Sequence, residues 1–272
     1  MRVVFIGRRT GFNNGAARWL SERYDLRAVF YIEEGWNRRA NRVRAVQKRA
    51  KRIGLRRIAD ELLFYGYYLR RYGRGDERLW RERLPAAFQN PPPADAPTHS
   101  CADIHSPRWL DEIAACEPDI LFSVCAKTIF QPALFNLPKM GMFILHEGIT
   151  PEYRGLHTAG WALLQGEPQY VGYSLLKAEK GIDTGPILCQ GAYPDAANWG
   201  FHWRFIGHQA LAHGLPAMEA ALDGLYANGG RFEPVSQEGR VSRNYSWIGM
   251  SDYLRCRRNP STRALFRRWR AQ

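Results

Sequence analysis

The chain opens with "RVVFIG", Arg2 to Gly7, a short β-branched and aromatic run closed by glycine. Such a run suits a strand buried on both faces. "FNNGAARWLSERY" follows with the character of a helix, and "LRAVFYI" reads as a second strand. Parallel neighbours need a crossover of this length, so a strand–helix–strand opening predicts a doubly wound, mainly parallel α/β sheet. The glycine-rich turn that would cradle a dinucleotide is missing, because "GRRTGFNNG" is a poor match to G-x-G-x-x-G. At 272 residues and 45% hydrophobic, the chain can bury one large α/β core with an appendage.

The rhythm changes after Trp36. "NRRANRVRAVQKRAKRIG" puts Val43, Val46, Ala50 and Ile53 on one helical face and fills the rest with arginine and lysine. A second amphipathic piece, "LRRIADELLFYGYYLRRY", follows, and the segment then runs out as a connection through Pro91 to Pro93. The expectation is a basic helical insertion over about 36–97 within a domain spanning 1–225, followed by a basic tail over 226–272 that ends in a helix. After the insertion, "SPRWLDEIAACEPD" reads as a helix with Ser106 as N-cap and Pro107 in the first position. "ILFSVCA" and "GMFILHEG" read as strands, and "YVGYSLLKAE" and "GPILCQGAYP" as two more joined by "KGIDTG".

Charge is the unusual bulk property. Lys and Arg number 39 against 26 Asp and Glu, a surplus of +13. That favours anionic partners, whether phosphorylated metabolites, an anionic membrane face or nucleic acid. Five scattered cysteines without a C-x-x-C pair argue against a disulfide framework or a zinc site. With no membrane-length apolar run and no leader-like N-terminus, the expectation is a cytoplasmic protein.

Ligands of doubly wound sheets sit beyond the carboxyl ends of the strands. His146 stands at such an end, and Asp183 stands in the "KGIDTG" turn. A carboxylate that orients an imidazole and steadies its charged form is the minimum equipment for moving protons. Around these residues, "HEGITPEYRGLHTAGWALLQGEPQYVGYSLLKAEKGIDTGPIL" resembles the folate-dependent formyltransferases, closest in style to the sugar N-formyltransferases. The family's pattern is a strand ending in Asn-x-His, a Pro-x-Tyr-Arg-Gly loop, a Trp-Ala helix, and Gly-x-Asp-Thr-Gly-Pro-Ile. The matching pieces run from His146 through Pro151, Tyr153, Arg154, Gly155 and Trp161 to Gly181, Asp183, Thr184 and Gly185.

The resemblance implies a Rossmann-like fold and N10-formyltetrahydrofolate as co-substrate, with no metal. It implies His146 and Asp183 as the catalytic pair and Ser123, Cys125, Lys127, Gly181 and Thr184 along the folate. Thr150, Tyr153, Arg154 and Gly155 would then face the acceptor. The match is good over about residues 100–195, loose at the first strand, and absent from the insertion and tail.

One departure bears on mechanism. Where the family carries Asn, two residues before His146, the chain has Ile144, and an Ile offers no donor. Loss of one oxyanion donor typically costs roughly 100- to 1000-fold in turnover. The histidine of the family's Gly-Val-Thr-Leu-His is likewise Leu176. Three accounts stay open: a slow enzyme relying on His146, a substitute donor among Ser123, Lys127 and Thr128, or a retired site that only binds.

The acceptor implied is the amine of a small phosphorylated molecule, with an amino-sugar nucleotide fitting best. A tail of some forty residues is too short for the tRNA-binding barrel of methionyl-tRNA formyltransferase, which ranks nucleic acid low. The competing readings are a binding protein for anionic partners, an anionic membrane included, and a hydrolase that releases formate. Oligomeric state is open, a homodimer included.

Overall fold

The computed structural model describes residues 1–33, 47–85, 88, 95–125 and 128–271. Val43, Val46, the proline cluster and Lys127 lie outside the described residues.

Seven strands form one sheet in the order β3-β2-β1-β4-β5-β7-β8. Strands β1 (Arg2–Gly7), β2 (Asp25–Ile32), β3 (Thr98–Cys101), β4 (Ile120–Val124) and β5 (Gly141–Glu147) run parallel. Strand β7 (Gly172–Lys177) is antiparallel to β5, and β8 (Ile187–Ala192) is antiparallel to β7. A two-residue pair, β6 (Arg154–Gly155) with β9 (Asn244–Tyr245), stands apart. The doubly wound, mainly parallel expectation is met. Beyond it, the structure supplies a short edge strand, β3, in a stretch the sequence presents as connection. Four residues are too few to show a period, and only Cys101 of them is fully buried.

Central strands bury both faces, so their odd and even residues feed two cores. Val3, Phe5, Val29, Tyr31, Phe122, Phe143 and Leu145 pack on one side, under α1 (Gly11–Ser21) and α9 (Leu215–Ala227). Val4, Ile6, Phe30, Leu121 and Met142 pack on the other, under α5 (Pro107–Ala115) and α6 (Pro132–Phe135). Pro107 does occupy the first turn of α5, although Ser106 makes no side-chain capping bond. The apolar run from His208 to Leu225 breaks into α8 (Trp203–His213) and α9 around Gly214, with Pro216 in the first turn of α9. Proline lacks the N–H that a continuous helix would need there.

Between β2 and β3 lie α2 (47–53), α3 (Leu55–Tyr68), a π turn (Leu69–Gly73) and α4 (Arg74–Arg83). Helix α4 falls within the stretch read as a helical insertion and extends it up to the segment before the proline cluster. Asp76 and Glu77 stand in its first turn and Arg81 and Arg83 in its last, as the helix dipole favours, with Glu82 against that trend. A third core of aromatic rings joins α3 to α7 (Thr158–Gln165), α8, α10 (Met250–Cys256) and α11 (Pro260–Ala271). Phe64, Tyr68, Phe201, Tyr253 and Phe266 are its centre. The basic C-terminal segment therefore packs into the body of the protein rather than trailing from it.

Candidate active site

His146 is the sixth residue of β5 and points to the face shared by Met142 and Ile144. It is buried, with its Nε2 3.0 Å from the Tyr153 carbonyl oxygen and its Nδ1 3.5 Å from Asp183 Oδ2. Both neighbours are acceptors, so the ring satisfies both only when each nitrogen carries a proton. The Nδ1 contact exceeds hydrogen-bond length, and such contacts tighten when a site fills.

Asp183 reaches this place by a route the strand pattern conceals. Because β7 runs antiparallel, with Lys177 opposite Phe143, the chain leaves β7 at the amino end of β5. The Asp183 turn thus follows the carboxyl end of β7, which lies at the amino end of the parallel strands. Residues 178–186 fold back over the sheet face, anchored by Ala178 N–H donating to the Met142 carbonyl at 2.7 Å. Asp183 takes φ 50°, unusual for a residue with a Cβ, and its carboxylate accepts from Gly155 N–H at 3.0 Å. Arg154 NH1 donates to the Ile182 carbonyl at 3.0 Å. The Tyr-Arg-Gly loop and the Asp turn thus clasp each other across the histidine.

Gly155 has φ 94°, and a Cβ there would come within 2.2 Å of the Tyr245 carbonyl oxygen. This is the crossing of β6 with β9, where only glycine fits.

The loop is braced from beneath. Tyr153 is fully buried, stacked on Tyr245 at 5.0 Å, with its hydroxyl donating to Glu167. Burial, with Glu167 beside it, pushes the Tyr153 phenol well above its ordinary range. Thr150 is also buried; its N–H donates to Ser174 Oγ, and its carbonyl accepts from Gln190 and from Arg240 at 2.7 Å each. Arg240 additionally grips Glu152 with Nε at 2.9 Å and NH2 at 2.7 Å. Trp161 is core, stacked on Tyr245 and donating to the Ser246 carbonyl.

The structure therefore brings together His146, Asp183, Arg154 and Gly155, and turns Thr150 and Tyr153 inward. Cys125 is exposed just past β4, and Gly181 and Thr184 are exposed in the loop over the His–Asp pair. Ser123 is closed to solvent, with its hydroxyl lacking a hydrogen-bond partner. It lies in register beside Ile144, whose other neighbour is Leu176. Arg240, Tyr245, Ser174 and Gln190 carry no local signal in the sequence. Two of them sit some ninety residues downstream of the loop they hold.

Residues 80–197 match the formyl transferase family model. Over 88 residues the chain is 36% identical to a bifunctional polymyxin resistance protein ArnA from Wigglesworthia glossinidia brevipalpis, covering 32% of this chain and 13% of that protein. It is 27% identical over 146 residues to a methionyl-tRNA formyltransferase from Trichlorobacter lovleyi, covering 54% and 45% respectively. The chain thus spans less than half the length of these curated relatives. Among solved structures, a glycinamide ribonucleotide transformylase 1 from Symbiobacterium toebii matches with TM-score 0.54 at 15% identity, covering 89% of this chain and 93% of that one. A sugar N-formyltransferase from a Shewanella species matches with TM-score 0.50 at 15% identity, covering 90% and 76%. With the sheet, the clasped loops and the His–Asp pair in place, the chain has the fold of these formyltransferases and resembles the formyl transferase family over residues 80–197.

Proposed function

We propose that the protein transfers a formyl group from N10-formyltetrahydrofolate to the amine of a small phosphorylated acceptor, an amino-sugar nucleotide, and does so slowly. The observation that carries this reading is the His146–Asp183 pair, buried at the edge of an accessible loop and held 3.5 Å apart by two backbone clasps.

The residues present fit the co-substrate. Cys125, Gly181, Ile182 and Thr184 are all exposed, offering accessible backbone and an apolar side chain of the kind a flat, amide-rich ring system requires. When bound, the folate supplies an activated formyl carbon for the amine to attack. His146, with Nε2 on the Tyr153 carbonyl, would offer the proton on Nδ1 to the negative charge on the formyl oxygen and then to the folate nitrogen that leaves as its bond to the formyl carbon breaks. Asp183 steadies the charged ring and offers a place for the amine's departing proton, through water. Ser123 is closed to solvent in this arrangement, so its hydroxyl is not placed to reach the formyl oxygen. On this reading Ser123 does not replace the donor lost at Ile144, and the rate is low for want of it. The surplus of basic residues, with Arg154 at the mouth, supports an anionic acceptor.

A second reading draws on the same clasps. Both His146 and Asp183 hold loop backbone, a purely structural use of the pair that a retired binding site would also show. Calorimetry with a non-transferring tetrahydrofolate analogue, beside a formyl-transfer assay with amino-sugar nucleotides, separates the two. The proposal expects His146→Ala to keep folate binding and to lose roughly 100-fold or more in turnover. Folate binding with no turnover in the native chain would establish the retired site. No folate binding at all would sink both readings.

A further inference from the structure

We infer that α3 is a membrane-docking helix that lies on anionic phospholipid headgroups. This is independent of the reaction. Leu55, Leu62 and Leu69 recur every seven residues, so they form one line along the helix. They are 72%, 65% and 39% exposed, and Leu63 beside them is 61% exposed. Ala59 and Gly66, also exposed, fill the line between them. The opposite side carries the buried Glu61, Phe64 and Tyr68 that tie the helix to the aromatic core. An outward stripe of leucines on a helix that already has a complete inward face is a surface built for contact.

Charge identifies the partner. Both acids of α3 are used on the inward side: Asp60 accepts from Arg57 and Ser251, and Glu61 pairs with Arg49 and Arg57. The leucine line is flanked instead by exposed Arg56, Arg70 and Arg71, and the preceding α2 adds exposed Lys48, Lys51 and Arg52. Among the described residues, neither Arg56 nor Arg70 pairs with a carboxylate. An apolar stripe edged by basic residues is the pattern of a helix lying in the plane of an anionic interface. A second copy of the chain fits poorly. Pairing two α3 helices about Leu62 and Leu63 would set Arg56 against Arg70 of the other copy in the antiparallel sense, and Arg56 against itself in the parallel one. No helix among the described residues is long and apolar enough to cross a membrane, so the association is peripheral.

The test is co-sedimentation of the full chain with phosphatidylcholine vesicles and with vesicles of equal parts phosphatidylcholine and phosphatidylglycerol. Expected are binding to the mixed vesicles alone, loss of that binding in Leu62→Asp/Leu63→Asp, and a roughly 30-fold weaker partition in Arg56→Gln/Arg70→Gln. All four side chains are exposed, and an unchanged melting temperature confirms that the variants fold. Failure to sediment with the mixed vesicles would overturn the inference. So would binding that the leucine variant leaves intact, which would place the contact elsewhere on the basic surface. A vesicle-independent dimer dissolved by Leu62→Asp would assign the stripe to a second copy instead.

Discussion

Ile144→Asn tests the reasoning about the site most directly. Ile144 is half-buried on the His146 face of β5, in register with Ser123 on β4 and Leu176 on β7. Removing its hydrocarbon forfeits about half the burial energy of a full isoleucine, about 1 kcal/mol. An amide stranded in that apolar strip would cost about 1–3 kcal/mol more. It need not be stranded. The Ser123 hydroxyl is buried and unpartnered one strand away, roughly 4.8 Å across the sheet, and can bond the new amide, returning about 1 kcal/mol. The net cost is then about 1–3 kcal/mol, a fall of roughly 2–6 °C in Tm for a chain of this length. In exchange, the site regains a donor beside the imidazole, and kcat for formyl transfer should rise by about tenfold or more. The assay is initial-rate formyl transfer to a panel of amino-sugar nucleotides, read beside a thermal melt. A stable variant with an unchanged or lower rate would refute the argument, because the missing donor would then not limit the reaction. Ser123→Ala supplies the control. It should leave the native rate within a factor of about three, since the hydroxyl does not meet substrate, and should make Ile144→Asn less stable by about 1 kcal/mol.

Three further outcomes follow from the geometry. His208 lies between Phe12 at 4.6 Å and Trp80 at 5.5 Å, and burial, aided by Arg204, pushes it down to about 4. Its folded value lies below the unfolded one, so the unfolded chain binds the extra proton between about pH 6.5 and 4, and stability falls as pH falls through that window. The native chain should lose about 1–2 kcal/mol between pH 7 and pH 5 from this group, allowing for the part of the ring that meets solvent, and His208→Gln should flatten that slope in urea titrations. Asp76, fully buried, accepts from the Tyr68 hydroxyl at 2.7 Å and faces His202 Nδ1 at 3.1 Å, so Asp76→Ala should cost about 2–4 kcal/mol, measured as a Tm drop of roughly 4–8 °C. Arg240→Ala removes the grip on Glu152 and on the Thr150 carbonyl, worth about 1–2 kcal/mol, so amide exchange over residues 149–155 should quicken by about 5- to 30-fold while β2 is unaffected.

The site was largely legible because its residues are close in sequence and chemically distinctive. His146, the Pro-x-Tyr-Arg-Gly loop and Asp183 fall within forty residues, and apolar runs mark the strands that carry them. Strand β3 was not, being only four residues long.

Residue types and their order alone carried the parallel sheet, the resemblance to formyltransferases and the apolar side chain at Ile144. Each depends on residue type and short-range spacing, which a linear chain displays. Tertiary structure decided the rest. Only the antiparallel turn of β7 carries Asp183 back over the sheet to His146. Only the fold turns Thr150 and Tyr153 inward and sets Arg240 and Tyr245 beneath their loop. Only packing shows that the leucines of α3 face outward while its acids face in. These are long-range pairings chosen by which surfaces can be buried together, and no local propensity encodes that choice.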